Sequence, residues 1–240
     1  MIQQTGNAWQ LVILCLTILT GCEQTQTLVA FDGTLNIFSQ NPASPIFGKS
    51  SDWVRLGPGT DSIYKVITDS GMPTLEISTS VTNTAILRRV DAQLLATPFL
   101  FWSWMAADGP PAHPVRLVIG FADAGLIDTD GSIARMFRRS GPPKFSRTLT
   151  LLWGASALQR GNLVTKSSSP DGKPHATYVV RGGRENRQQW WSENLDLSMV
   201  HAQVWPRIDM DQSRIVFAGI SSIGIVSPGT MRIAGFRLSR

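Results

Sequence analysis

Two runs decide the fold: Phe99-Leu100-Phe101-Trp102-Ser103-Trp104 and, after a Pro/Gly-rich break, Val115-Arg116-Leu117-Val118-Ile119-Gly120-Phe121. They read as two buried strands joined by one loop. In the first, apolar residues fill both parities, with Phe99 and Phe101 set against Leu100, Trp102 and Trp104. That is the pattern of a central strand covered on both faces. Around this pair, 21 glycines and 14 prolines punctuate short stretches rich in Val, Ile, Thr and aromatics. Turn signals at such close intervals leave little room for long helices and point to an all-β class. A chain of 240 residues with 42% hydrophobic content is long enough to bury one large β core.

The N-terminus reads as an export signal. Leu11 to Thr20 is an apolar run of ten residues, too short to cross a bilayer as a helix and the right size for a signal-peptide core. Leu19-Thr20-Gly21-Cys22 follows and resembles the bacterial lipobox, in which the cysteine sulfur takes the lipid. The expected organisation is a signal peptide over 1–21, a tether over 22–27 from lipidated Cys22, and one β-sandwich domain over 28–240. Residues 1–10 carry no Lys or Arg, a departure from the usual signal. With Cys15 removed and Cys22 acylated, no free thiol or disulfide is left, which excludes thiolate catalysis and Cys-ligated metal sites. Glu23 after the cysteine points to the outer membrane, with the domain facing the periplasm. The expected partners are membrane lipid, reached through Cys22, and a glycan or anionic envelope component.

Net charge is +5. In an exported protein such a surplus suggests anionic lipid or glycan rather than nucleic acid. The arginines cluster at Arg135, Arg138, Arg139 and Arg147 and again at Arg181, Arg184 and Arg187. The segment from Ala122 to Ser146 is long for a loop, and Ile133, Met136 and Phe137 at helical spacing among Arg135, Arg138 and Arg139 suit either contact with a membrane surface or a small lid.

Along the rest of the chain, Leu28 to Phe31 reads as a first edge strand. Asp69 to Pro73 reads as a hairpin turn between half-buried strands. Asp196 caps a short helix carrying Leu197, Val200 and Val204 that Pro206 stops. A bulge at Ala234-Gly235 reconciles the parities of Met231 and Ile233 with those of Phe236 and Leu238.

From about Trp53 to Leu238 the landmarks resemble a bacterial family catalogued as domain of unknown function 3047. They are Pro98, Leu100, Trp102 and Trp104 in one strand, the arginine-led strand Arg116 to Phe121, the strand end Trp153-Gly154, and Trp191, Glu193 and Asp196 leading into a helix. The resemblance implies an antiparallel jelly-roll-like β-sandwich, with one or two short helices, of the carbohydrate-binding kind and with no catalytic residue to carry over. The chain departs from that pattern at Ala112-His113-Pro114 and at Ser221-Ser222-Ile223-Gly224, where the family has acidic residues.

Catalytic motifs are sparse. Gly154-Ala155-Ser156-Ala157 lacks the last glycine of a hydrolase elbow, and His113, His175 and His201 stand far apart in loops and strand ends. Asp128-Thr129-Asp130-Gly131-Ser132 opens like a calcium loop without its later glutamate. Only four glutamates, Glu23, Glu76, Glu185 and Glu193, are available to build the carboxylate pair of a glycosidase. No cofactor or metal is expected. Of the tryptophans, Trp102, Trp104 and Trp153 read as core. The pair Trp190-Trp191, with Arg184 and Arg187, is the candidate ligand site, because sugar rings stack on indoles and successive strand residues face opposite ways. The sequence therefore favours a non-catalytic, lipid-anchored binding module. A scaffold that contacts membrane or a protein partner and a glycan-active hydrolase are the alternatives.

Overall fold

The computed structural model describes residues 29–38, 53–123, 142–166 and 172–240. Among them run thirteen strands: β1 (Thr34–Asn36), β2 (Trp53–Leu56), β3 (Tyr64–Asp69), β4 (Met72–Ser78), β5 (Thr84–Gln93), β6 (Phe99–Ala106), β7 (Val115–Asp123), β8 (Arg147–Gly154), β9 (Leu163–Lys166), β10 (His175–Gly182), β11 (Trp191–Asp196), β12 (Ser213–Ser222) and β13 (Thr230–Ser239). Helix α1 (Thr60–Ile63) precedes β3, a 3-10 turn (Ala157–Gln159) precedes β9, and helix α2 (Leu197–Val204) follows β11. The signal peptide, Cys22 and the tether lie outside the described residues, as do Arg135, Arg138, Arg139 and the Asp128 to Ser132 turn.

The strands form two sheets. One has six strands in the order β11-β6-β13-β4-β3, with β1 also on β13; the other has seven in the order β2-β5-β12-β7-β8-β10-β9. One buried cluster fills the space between them, built from the inward residues of both sheets. Trp102, Trp104 and Trp153 sit there at 2%, 1% and 0% exposure. Their rings meet edge to face, 5.6 Å from Trp102 to Trp104 and 5.4 Å from Trp104 to Trp153, the geometry that aromatic quadrupoles favour. The all-β sandwich expected from the sequence is what the chain forms.

Several local readings hold for identifiable reasons. The β3–β4 hairpin turns at Ser70 and Gly71, both at positive φ, as a two-residue hairpin requires. The Asp196 carboxylate accepts from the amides of Ser198 at 2.9 Å and Met199 at 3.1 Å, capping α2. In β13 the register to β6 shifts between Ala234 and Arg237, with Gly235 at φ +62°. This bulge also divides the far edge of β13, where β4 pairs with Thr230 to Ala234 and β1 with Arg237 to Ser239.

Four expectations need correction. Phe31 is fully exposed in a turn, and the strand begins only at Thr34. The Asp32 carboxylate accepts from the Thr34 amide at 2.9 Å and its hydroxyl at 2.7 Å, an Asx turn that sets the start of β1 after the expected strand; Leu28 lies outside the described residues. Strand β6 is buried on one face only. Leu100, Trp102, Trp104 and Ala106 point inward, while Phe99, Phe101, Ser103 and Met105 alternate with them and stay half-buried. The fully central strand is β7, fourth of the seven. Pairing is antiparallel at every described contact but one, since β8 and β10 run parallel. After β8 the chain crosses through the 3-10 turn to β9, and the β9–β10 hairpin then places β10 alongside β8. Finally, His201 lies in a helix, not in a loop or strand end.

On the outer face of the seven-stranded sheet, Phe217 packs against Gly120, where an added Cβ would stand 2.1 Å from the ring. Phe145 closes on Phe217 edge to face at 5.4 Å. Gly120→Ala is therefore expected to destabilise the protein by about 1–3 kcal/mol through overpacking. Because the two residues share one space, the double variant with Phe217→Ala is expected to be no less stable than Phe217→Ala alone, as read from denaturant unfolding.

Candidate functional site

The loop from β10 to β11 passes from one sheet to the other and carries the residues that the sequence singled out. Its base is fixed by a buried ion pair across the sandwich. Arg181 Nε on β10 donates to Glu193 Oε1 on β11 at 2.5 Å, and Trp104 Nε1 donates to the same oxygen at 3.2 Å. Glu193 is 7% exposed; the indole and guanidinium both donate to its Oε1, and Arg160 stands 3.8 Å from Oε2.

Around this pair the four sequence candidates separate. The Arg181 guanidinium covers the Trp191 ring at 3.7 Å, and Trp191 Nε1 donates to the Asn186 carbonyl at 2.8 Å. Trp191 is thereby part of the inward-facing structure. Arg187 donates to the carbonyls of Gly109, at 2.7 Å, and Pro110, so it ties the β6–β7 loop to this one. Arg184 is exposed and Trp190 is half-buried. Trp190 stands one residue before β11 and shares the parity of Ser192 and Asn194, both exposed on the outer face.

That outer face holds what the sequence reading missed. The pairing of β11, β6 and β13 sets Asn194 opposite Phe101 and Phe101 opposite Arg237. Phe99 and Phe101 lie 6.5 Å apart, both half-buried and outside the core cluster. Arg237 rests over the Phe101 ring at 5.0 Å, and the hydroxyls of Ser103 and Ser192 share a hydrogen bond of 2.9 Å. The result is an aromatic strip flanked by amide, hydroxyl and guanidinium groups. Such a strip offers π faces to the C–H groups of a sugar and polar groups to its hydroxyls. Ser103, the lone polar residue in an otherwise apolar run, was the available signal that one face of β6 is turned to solvent.

Apart from Asp196, which caps α2, the acidic residues on the described strands are held by arginines. Arg214 pairs with Asp91. Arg232 bridges Asp69 at 3.0 Å and Glu76 at 2.9 Å, and Arg147 takes Asp123 through both terminal nitrogens at 2.8 and 2.6 Å. Asp123 is held below the usual carboxylate range by that guanidinium. Ser156 is likewise engaged, accepting from the Leu158 amide at 3.2 Å to cap the 3-10 turn. Among the described residues no group of three or more His, Cys, Asp or Glu side chains is placed to hold a metal.

Arg147 itself is 2% exposed. Besides Asp123 it donates to Ser213 Oγ at 2.7 Å and to His201 Nε2 at 3.0 Å. Accepting at Nε2 places the His201 proton on Nδ1. The ring is wedged edge-on between Phe121 and Trp205. Burial and the adjacent guanidinium push its pKa down to about 4. His113 is pushed to about 4 as well, mainly by burial and then by Arg187.

No protein-family model matches the chain, and no curated protein matches it in sequence. Solved structures similar to it are jelly-roll β-sandwiches. A family 11 carbohydrate-binding module from Clostridium thermocellum is 11% identical over 80% of this chain and 91% of its own, at a TM-score of 0.40. A family 12 xyloglucanase from Bacillus licheniformis is 11% identical over 84% of this chain and 98% of its own, at 0.42. The Cel12A catalytic domain of Humicola grisea is 10% identical over 88% and 96%, at 0.42. The likeness is one of fold alone.

The histidines generate a pH prediction. Between about pH 6.5 and 4 the unfolded chain binds protons that native His113 and His201 refuse, so stability is lost as pH falls through that window. The loss is on the order of 3 kcal/mol per histidine. Melting temperature against pH should fall accordingly, and His201→Gln, an uncharged acceptor for Arg147, should flatten the slope by about half.

Proposed function

We propose that this chain is an envelope lipoprotein, anchored by acylated Cys22 and facing the periplasm from the outer membrane, whose β-sandwich binds a glycan or another envelope component without cleaving it. The address rests on the apolar run ending at Leu19-Thr20-Gly21-Cys22. The binding reading rests on one observation: the pair Phe99 and Phe101 on the outer face of the six-stranded sheet, the face to which the parity of β11 also turns Trp190. Half-buried aromatic rings on the outer face of a sheet stand outside the core and keep a face suited to stacking. Membership of the domain of unknown function 3047 family is part of the same proposal, supported by the strand landmarks from Trp53 to Leu238.

Binding is favoured over hydrolysis by the state of the acids on the strands. A glycosidase needs one carboxyl kept protonated and a second free to act as base or nucleophile. Here Glu193 is engaged by Arg181 and Trp104, and Asp69, Glu76, Asp91 and Asp123 each face an arginine. Arg184 and Arg187 keep separate roles, the first as a cation open to a ligand and the second as the tie that shapes the loop. Contact of Arg135, Arg138 and Arg139 with the membrane surface is part of the same proposal.

The test uses the full chain purified in a non-ionic detergent, with intact-mass analysis expected to find it starting at a lipidated Cys22. Affinity electrophoresis against peptidoglycan fragments and a panel of soluble cell-wall polysaccharides should retard it. Phe101→Ala and Trp190→Ala should each weaken retardation about tenfold, while melting shifts by less than about 4 °C. No retardation by any of these glycans, or retardation that both substitutions leave intact, contradicts the reading.

A further inference from the structure

Strand alternation turns Arg116 outward from β7. Its neighbours Val115 and Leu117 are buried at 1% and 0% exposure, so their parity is the inner one. Arg116 is thus a half-buried cation on the middle strand of the seven-stranded sheet. Its Nε is shut off from solvent with no acceptor, and among the described residues the side chain has no hydrogen-bond or ion-pair partner. Arg147, Arg181, Arg214 and Arg232, the other sheet arginines with acidic neighbours, are all paired. Burial alone lowers the Arg116 pKa. A desolvated guanidinium keeps its charge and presents a planar fork of donors, whose natural complement is an oxyanion.

The surroundings say what carries that oxyanion. Directly across on β12 stands Ser221. Ser221 also lines an open, mostly apolar hollow with Leu56, Ala85, Asn83 and Ile223. An apolar hollow beside an unpaired cation fits a ring bearing an acidic substituent, with the ring on the aliphatic wall and its oxygens on the fork. We propose that Arg116 anchors a second binding site, on the outer face of the seven-stranded sheet, that takes the carboxylate or phosphate of an acidic polysaccharide. The site lies on the sheet opposite the aromatic strip, so it stands or falls apart from the reading above.

The test is calorimetric titration of the full chain in detergent with polygalacturonate as the carboxylate probe and phosphomannan as the phosphate probe. Binding of at least one is expected, weakening with added salt, with inorganic phosphate competing. Arg116→Leu should reduce affinity about tenfold or more and Arg116→Lys by less. Arg116→Leu should melt no lower than the parent, because it removes an unpaired charge, and Phe101→Ala should bind these probes normally. Binding of neither probe, unchanged affinity in Arg116→Leu, or a fall in its melting temperature overturns the proposal.

Discussion

The two-residue period of β6 is the constraint from which the rest follows. It sends Leu100, Trp102, Trp104 and Ala106 into the space between the sheets and leaves Phe99 and Phe101 outside. The inward indoles set the local thickness of the sandwich and, through the Trp104 N–H, bring a carboxylate with them. Glu193 accepts that N–H, Arg181 neutralises Glu193 from the other sheet, and Trp191 stacks on Arg181. One strand's alternation therefore specifies the interior, the cross-sheet ion pair and the aromatic strip on the surface. A slip of a single residue in β6 would exchange the two faces and lose all three.

Charge is organised by the same economy of partners. The interior accepts Arg147 because Asp123, Ser213 and His201 meet its donors, and it accepts His201 because the ring stays neutral between Phe121 and Trp205. Such a network is stable only while every member holds its protonation state. Arg116 breaks this rule on the outer face of the other sheet, where a donor fork faces no acceptor among the described residues. The contrast between satisfied and unsatisfied arginines is more informative than the chain's net charge of +5, which does not distinguish them.

Local features were legible in the sequence because their causes are local. The turn at Ser70-Gly71, the Asp196 cap, the bulge at Gly235 and the burial of Trp102, Trp104 and Trp153 each depend on a few neighbouring residues. Features that depend on distant pairing were not. The parallel contact of β8 with β10 requires knowing that a hairpin folds back beside β8, and the partners of Arg147 come from β7, β12 and α2. Trp190 and Trp191 could be seen to face opposite ways, but which one turned inward was decided by Arg181, whose position follows from the other sheet. Phe99 and Phe101 look covered in the sequence because hydrophobicity alone does not separate the inner face of a strand from its outer one.

Hydroxyl-radical footprinting of aromatic side chains, on the full chain with and without the glycan that retards it most, tests this division of labour directly. The account predicts that Trp102, Trp104 and Trp153 stay unmodified in both states, whereas Phe99, Phe101 and Trp190 react in the free protein and become protected when the glycan is bound. Modification of the three core tryptophans in the native protein, or phenylalanines whose reactivity the glycan leaves unchanged, would contradict it.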